Sequence, residues 1–80
     1  MVEVVVITTK SCPNCPSVKQ FWKDMKKDHK FSYKEVDAMS SEGQDLVGRH
    51  GIMSVPTTMV GGKVVFVGMP DRKKAESLVK

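Results

Sequence analysis

The change of sequence pattern near residue 12 constrains the fold more than any other feature. Residues 2–9 are apolar and rich in β-branched side chains without clean alternation, which favours a strand buried on both faces of an α/β sheet. From residue 13 to about residue 29, apolar side chains recur at three- and four-residue steps, as in an amphipathic helix. The four that define this face are Val18, Phe21, Trp22 and Met25. Both cysteines of the chain, Cys12 and Cys15, lie where the strand pattern gives way to the helix pattern.

The next segments continue the alternation of strand and helix. Residues 31–37 alternate imperfectly, as a second strand does, and the helix between the two strands implies a right-handed crossover with parallel pairing. A short second helix is expected from a capping box, with Ser41 as N-cap and Gln44 three positions later. Gly51 can close this helix as a left-handed cap.

The last third of the chain predicts a hairpin and a final helix. Residues 55–60 and 63–67 are β-branched runs joined by a two-glycine turn, so these strands should be antiparallel. The final helix should open with Pro70 at its first position and Asp71 beside it. The 80 residues therefore predict a single α/β domain, residues 1–80, with the order βαβαββα, a four-stranded mixed sheet and three helices.

The cysteine pair is the candidate functional site. Two thiols three positions apart lie on one turn of a helix and can approach within disulfide distance, so they can act as a reversible two-electron switch. Backbone N–H groups and the dipole at the helix start, with Lys10 close in sequence, favour the thiolate of Cys12. Cys12 is therefore the predicted nucleophile. Cys15, one turn further in, should be more buried and should resolve the mixed disulfide by attacking Cys12.

Three other interpretations of the two cysteines stay open from the residues alone. They could be buried small hydrophobes, or ligands of a zinc ion. A zinc finger is disfavoured because His50 follows His29 at far more than the required spacing of about three to five residues, so both histidines are expected at the surface or at helix ends. A soft-metal chaperone of the ferredoxin-like type also places C-x-x-C after its first strand, but it needs the element order βαββαβ.

Charge and composition exclude several other classes of function. The formal net charge is +4, yet the lysines are spread along the chain among acidic residues, which is not typical of a nucleic-acid interface. No apolar run approaches the roughly 20 residues that span a bilayer, and the N-terminus has no signal-peptide pattern. With only two cysteines, the chain is expected to be a soluble cytoplasmic monomer that binds neither nucleic acid nor membrane, and no metal site is predicted.

The chain resembles the thioredoxin superfamily over nearly its whole length, and three segments carry the resemblance. These are C-P-N-C at residues 12–15, I-M-S-V-P-T at residues 52–57 and V-G-M-P at residues 67–70. The chain looks most like the small, glutaredoxin-sized thioredoxins typical of archaea, which share C-P-x-C-P and G-I-M-x-V-P-T. The resemblance implies a minimal thioredoxin fold with Cys12 as the attacking and Cys15 as the resolving cysteine of a redox-active Cys12–Cys15 disulfide. It also implies a cis proline at Pro56, facing the pair, and backbone hydrogen bonds from Val55 to the bound substrate.

The implied function is that of a protein-disulfide reductase, a dithiol electron carrier with no bound cofactor. Its partners would be a thioredoxin-reductase-type electron donor and disulfide-containing target proteins. The residues expected to support the site are Lys10, Pro13, Asn14, Val55, Pro56 and Thr57. A glutathione-dependent glutaredoxin is the alternative within the superfamily.

The chain departs from the family pattern in three places. Pro13-Asn14 replaces the Gly-Pro usual in thioredoxins and the Pro-Tyr usual in glutaredoxins. The glutaredoxin segment Gly-Gly-x-Asp, which helps to hold glutathione, corresponds to residues 67–71, which lack it. The first strand carries no acid to lie beneath the cysteines, so the proton for Cys15 must travel through water, Lys10 or another route.

Overall fold

The computed structural model describes residues 2–10, 12 and 15–79. Its elements follow the predicted order βαβαββα. They are β1 (Glu3–Thr8), α1 (Cys15–Asp28), β2 (Ser32–Asp37), α2 (Ser41–His50), β3 (Thr57–Val60), β4 (Lys63–Val67) and α3 (Arg72–Val79). Within these described residues, no helix is both long and apolar enough to cross a bilayer.

The four strands form one mixed sheet in the order β2-β1-β3-β4. β1 and β2 are parallel, as a helical crossover requires, and β3 is antiparallel to both β1 and β4. Gly61 and Gly62 join β3 to β4 with φ of 61° and 83°, the left-handed values that a tight hairpin turn needs. The predicted α/β class, with a four-stranded mixed sheet and three helices, is confirmed.

The two faces of the sheet carry separate apolar clusters, with β1 contributing to both. On one face Val4 and Val6 pack with side chains of α1 and α3, and on the other Ile7 packs with Val36 and Met59. Leu46 of α2 and Ile52, which follows this helix, pack against this second cluster. Val4, Val6 and Ile7 are fully buried. Burial of the strand on both faces explains why its sequence does not alternate between apolar and polar residues.

Trp22 fixes α1 to the sheet. Its indole is fully buried and packs edge-on against Phe21 and Phe31, with ring centroids 5.2 and 5.8 Å away. Its Nε1–H donates a hydrogen bond of 3.2 Å to the Thr58 hydroxyl on β3. Because both partners are buried, this bond holds α1 in one position over β1 and β3.

The start of α2 differs from the prediction. Ser40, not Ser41, is the N-cap, with φ −74° and ψ 164°, and its Oγ accepts a 3.0 Å hydrogen bond from the Gly43 N–H. The Ser40 hydroxyl also donates to the Asp37 carbonyl, at 2.6 Å. This hydrogen bond to the end of β2 favours Ser40 over Ser41 as the cap. The spacing of residues along the helix does not show such a contact. The predicted cap at Gly51 is confirmed, with φ 63°.

The start of α3 also differs by two residues. The helix begins at Arg72, so Pro70 does not occupy its first position. The Asp71 carboxylate accepts a hydrogen bond of 3.2 Å from the Lys73 N–H, which makes Asp71 the capping residue. Because a capping residue precedes the first residue of its helix, a cap at Asp71 places the helix start at Arg72, two residues after Pro70.

Two glycines of α2 provide a matched test of packing. A Cβ at Gly43 would overlap the Asp37 carbonyl group and lie 2.8 Å from the Ala38 Cα, whereas one at Gly48 would meet nothing within 4 Å. We expect Gly43→Ala to lower the free energy of unfolding by about 1–3 kcal/mol, because backbone must move. Gly48→Ala should raise it by about 0.5–1 kcal/mol through helix propensity. Urea unfolding of both variants measures this, and equal effects would contradict the close approach at Gly43.

Candidate active site at the cysteine pair

Cys12 and Cys15 are joined by a disulfide at the junction of β1 and α1. Their Cα atoms are 5.4 Å apart, within the usual range for this bond. Cys12 is 9% exposed and Cys15 2%, so the order of burial is the predicted one, although both residues are largely enclosed. Cys12 is therefore the more exposed residue of the pair.

The position of each cysteine follows from the element that carries it. Cys15 begins α1 and lies three residues before Val18 on the helix face that continues through Trp22 and Met25, all of them buried. Cys12 lies in the connection after β1, where its N–H donates a 3.4 Å hydrogen bond to the Thr9 carbonyl. The predicted positions of Pro13 and Asn14 lie outside the described residues.

The Val55–Pro56 peptide bond is cis, as the family resemblance implied. The Thr57 hydroxyl donates to the Ser54 carbonyl at 2.7 Å, and the Gly68 N–H donates to the Pro56 carbonyl at 2.8 Å. The turn at the cis bond is thus stabilised by one hydrogen bond from Thr57, at the start of β3, and by another from Gly68, just after β4. The contribution of Gly68, which has φ 85° and belongs to the V-G-M-P segment, was not predicted from the sequence.

The sheet brings the cysteine connection and the cis proline to the same edge. β1 runs toward Cys12, and Ile7 near its end is paired with Thr57, the first residue of the antiparallel strand β3. Pro56 immediately precedes that pair. Pro56 and Thr57 are buried, Val55 is half-buried and Lys10 is exposed. Two segments 40 residues apart in the chain therefore lie at one edge because of strand register.

Lys10 lines a polar cavity of about 270 Å³ beside the end of β1. The other lining residues are Thr8, Thr9, Lys19, Glu35 and Asp37. A second, apolar groove of about 450 Å³ lies between α2 and the segment before β3. Its lining includes Met39, Val47, Ile52, Met53 and Val55.

A charged network next to the polar cavity was not anticipated from the sequence. Glu35 on β2 lies opposite Val6 of β1, and its carboxylate is 3.7 Å from the Lys19 Nζ on α1. Lys19 follows Cys15 by four residues and so lies on the same side of the helix, with a side chain that points toward the Cys15 turn. The Lys19–Glu35 ion pair therefore links α1, the helix that Cys15 begins, to β2.

Tyr33 completes this network. Its hydroxyl donates a 2.8 Å hydrogen bond to Glu35 Oε2. Partial burial, followed by this bond and the negative charge of Glu35, raises the pKa of the Tyr33 hydroxyl well above its usual range. Tyr33 and Glu35 are two residues apart on a strand and so share a face, which is the sequence signal that could have revealed the pair.

The metal-binding alternatives find no support in the arrangement of the described residues. Within that part of the chain, no group of three or more His, Cys, Asp or Glu side chains is placed to hold a metal ion. His50 ends α2 and His29 directly follows α1, as expected for helix-end residues. The order βαβαββα is also not the βαββαβ order that the soft-metal chaperone requires.

Comparison with known proteins identifies one family. The family model described as a thioredoxin domain matches residues 2–80. A probable thioredoxin of Methanothermobacter thermautotrophicus is 30% identical over 76 residues, which cover 92% of this chain and 87% of that protein. The thioredoxin of Methanocaldococcus jannaschii is 25% identical over 79 residues, covering 99% and 93%. Among solved structures, a mutant thioredoxin from Halobacterium salinarum has a TM-score of 0.76 at 21% identity, covering 98% of this chain and 71% of that one, a likeness of fold alone.

The single tyrosine of the chain allows the charged network to be tested by titration. We expect tyrosinate absorbance to appear only well above the usual pKa of about 10. Because the folded state keeps this proton longer than the unfolded state, the contribution of Tyr33 to stability is full below about pH 10, the pKa of tyrosine in an unfolded chain, and is lost as the pH rises from there through the higher pKa of the folded protein.

A substitution at Glu35 isolates the cause. Glu35→Gln removes the negative charge and should move the absorbance midpoint of Tyr33 downward. Glu76→Gln, which removes a carboxylate paired instead with Arg72 on α3, should leave the midpoint unchanged. An equal shift in both variants, or none in Glu35→Gln, would contradict the contact between Tyr33 and Glu35.

Proposed function

Because the chain belongs to the thioredoxin family and is a disulfide oxidoreductase of that type, we propose that it reduces protein disulfides through Cys12 and Cys15. The observation that carries this proposal is the Cys12–Cys15 disulfide at the β1–α1 junction, on the sheet edge that also presents the cis Val55–Pro56 bond. A dithiol site with an adjacent turn for substrate backbone fits a protein substrate.

The proposed reaction transfers two electrons to the target. In the reduced protein the Cys12 thiolate attacks one sulfur of a target disulfide, forms a mixed disulfide and releases the other target sulfur as a thiolate. The Cys15 sulfur, after losing its proton, then attacks the Cys12 sulfur. This step forms the Cys12–Cys15 disulfide and releases the second target thiolate. The greater exposure of Cys12 supports its assignment as the attacking residue.

Val55 is proposed to align the target next to Cys12. β3 begins at Thr57, so the ladder that pairs Thr57 with Ile7 does not extend to Val55. An extended target segment could take that place through backbone hydrogen bonds, as in β-augmentation. Pro56 and Thr57 would hold the turn, and Lys10, Pro13 and Asn14 would shape the surroundings of the cysteines.

The electron donor is proposed to be a thioredoxin-reductase-type protein that returns the Cys12–Cys15 disulfide to the dithiol. The relatedness to two archaeal thioredoxins supports this choice. The segment that follows β4 supports it too, because Gly68-Met69-Pro70-Asp71 is not the Gly-Gly-x-Asp segment of glutaredoxins.

Serine substitutions test the two cysteine roles. Cys12→Ser should abolish reduction of insulin, because no nucleophile remains to open the target disulfide. Cys15→Ser should accumulate a mixed disulfide with insulin, since resolution is blocked, and non-reducing electrophoresis would show it. Turnover by Cys12→Ser together with no trapped species in Cys15→Ser would show that the assigned roles are wrong.

An insulin assay with two electron supplies tests the donor. We expect reduction with NADPH and a thioredoxin reductase, and little with glutathione and glutathione reductase. Dithiothreitol serves as the control for a competent dithiol. Saturable turnover with glutathione alone would favour the glutaredoxin alternative, and failure in all three arms would contradict disulfide reduction.

A further inference from the structure

The methionines of the chain divide sharply by exposure. Among the described residues, Met39, Met53 and Met69 are 72%, 96% and 57% exposed, whereas Met25 and Met59 are 1% and 4% exposed. An exposed methionine presents an apolar and oxidisable thioether to solvent. The three exposed methionines therefore raise the question of where they lie relative to the cysteines.

Strand direction places all three at the edge of the sheet where the cysteine pair lies. Met39 follows β2, which is parallel to β1, so it lies beyond the same edge of the sheet as Cys12. Met53 precedes β3, which is antiparallel to β1, and Met69 follows β4, which is antiparallel to β3. Each connection therefore lies at that edge. We call Met39, Met53 and Met69 the methionine collar.

Two members of the collar also share one surface. Met39 and Met53 line the apolar groove of about 450 Å³, and Val55, next to the cis proline, lines it as well. Because Cys12 is only 9% exposed, a target disulfide must come close to the protein surface to reach its sulfur. The target chain on either side of that disulfide then lies against the surrounding connections, and unbranched thioethers adapt readily to different partners.

We propose that the methionine collar is a peroxide-sensitive modification site that controls how well protein targets bind. The proposal rests on the proposed function of disulfide reduction. Hydrogen peroxide transfers one oxygen atom to the thioether sulfur: the peroxide O–O bond breaks, an S–O bond forms and water leaves. The sulfur loses two electrons and the peroxide gains them.

The modification changes binding without touching the dithiol. A sulfoxide is polar, so a target loses apolar contact with the collar while Cys12 and Cys15 keep their chemistry. The KM for a protein disulfide should rise by about fivefold, roughly the effect of losing one buried methylene-sized contact, with kcat retained. A small soluble disulfide that does not reach the collar should be reduced as before.

The experiment oxidises the protein in its disulfide form, so that the cysteines are protected. After peroxide treatment and removal of peroxide with catalase, mass spectrometry of peptides locates the added oxygen atoms. The protein is then reduced with dithiothreitol, which is removed. The rate at which this dithiol protein is oxidised in a single turnover is measured over a range of insulin concentrations and with 5,5′-dithiobis(2-nitrobenzoate), and is compared with that of the same protein before treatment. The insulin concentration at half-maximal rate serves as the KM and the limiting rate as kcat. We expect sulfoxide at Met39, Met53 and Met69, a raised KM for insulin and an unchanged rate with the small disulfide.

Two variants assign the effect to the collar. In Met39→Leu/Met53→Leu/Met69→Leu, the ratio of treated to untreated activity should return to one. In Met25→Leu/Met59→Leu, which keeps the collar, the ratio should fall as in the parent protein. Both keep Met1, so oxidation there is common to them and cannot explain a difference.

The outcomes separate the two proposals. Untreated protein that fails to reduce insulin contradicts the proposed function. Untreated protein that reduces insulin, but whose KM is unaffected by sulfoxide at the collar, overturns the modification site alone. An equal loss in the triple leucine variant, or an equal loss with the small disulfide, also overturns it.

Discussion

Burial of β1 on both faces is the constraint on which the rest of the structure depends. The strand lies between β2 and β3, with α1 and α3 packed on one face and α2 on the other. Val4, Val6 and Ile7 are fully buried, and the backbone of β1 pairs with β2 on one side and with β3 on the other, so two ladders fix its register. The end of β1 therefore has one position. Both halves of the site, Cys12 after β1 and Pro56 before β3, take their positions from it.

Those parts of the fold that depend on short-range pattern could be predicted from the sequence. The β-branched run of β1, the apolar face of α1 and the Gly61-Gly62 turn each determine local structure through periodicity or backbone freedom, and each was predicted correctly. The disulfide-capable spacing of Cys12 and Cys15 is of the same kind. For Pro56, the residues alone would favour a trans bond, and the family resemblance supplied the cis assignment.

Features decided by particular contacts, which residue type and spacing do not show, could not be predicted in the same way. Ser40 and Ser41 are equally good caps by type, and the choice of Ser40 depends on its hydrogen bond to the Asp37 carbonyl. From the sequence alone, Glu35 is a solvent-facing strand residue. Its ion pair depends on α1, which places the Lys19 Nζ 3.7 Å from its carboxylate. The exposed methionines are widely spaced in sequence, and only the directions of β2, β3 and β4 bring them to one edge.

The site combines a rigid centre with an adaptable rim, and the proposed reduction of protein disulfides would use both. The attacking sulfur must approach the target sulfur in a defined direction, so small errors in position reduce the rate steeply. The centre meets this need: the buried hydrogen bond from Trp22 to Thr58 fixes α1, and that from Gly68 fixes the Pro56 carbonyl. If the chain reduces varied proteins, as proposed, equally rigid walls could not match each target, because different sequences flank each disulfide. The flexible side chains of Met39 and Met53, which line the apolar groove, can adjust to those differences while the cysteines stay fixed.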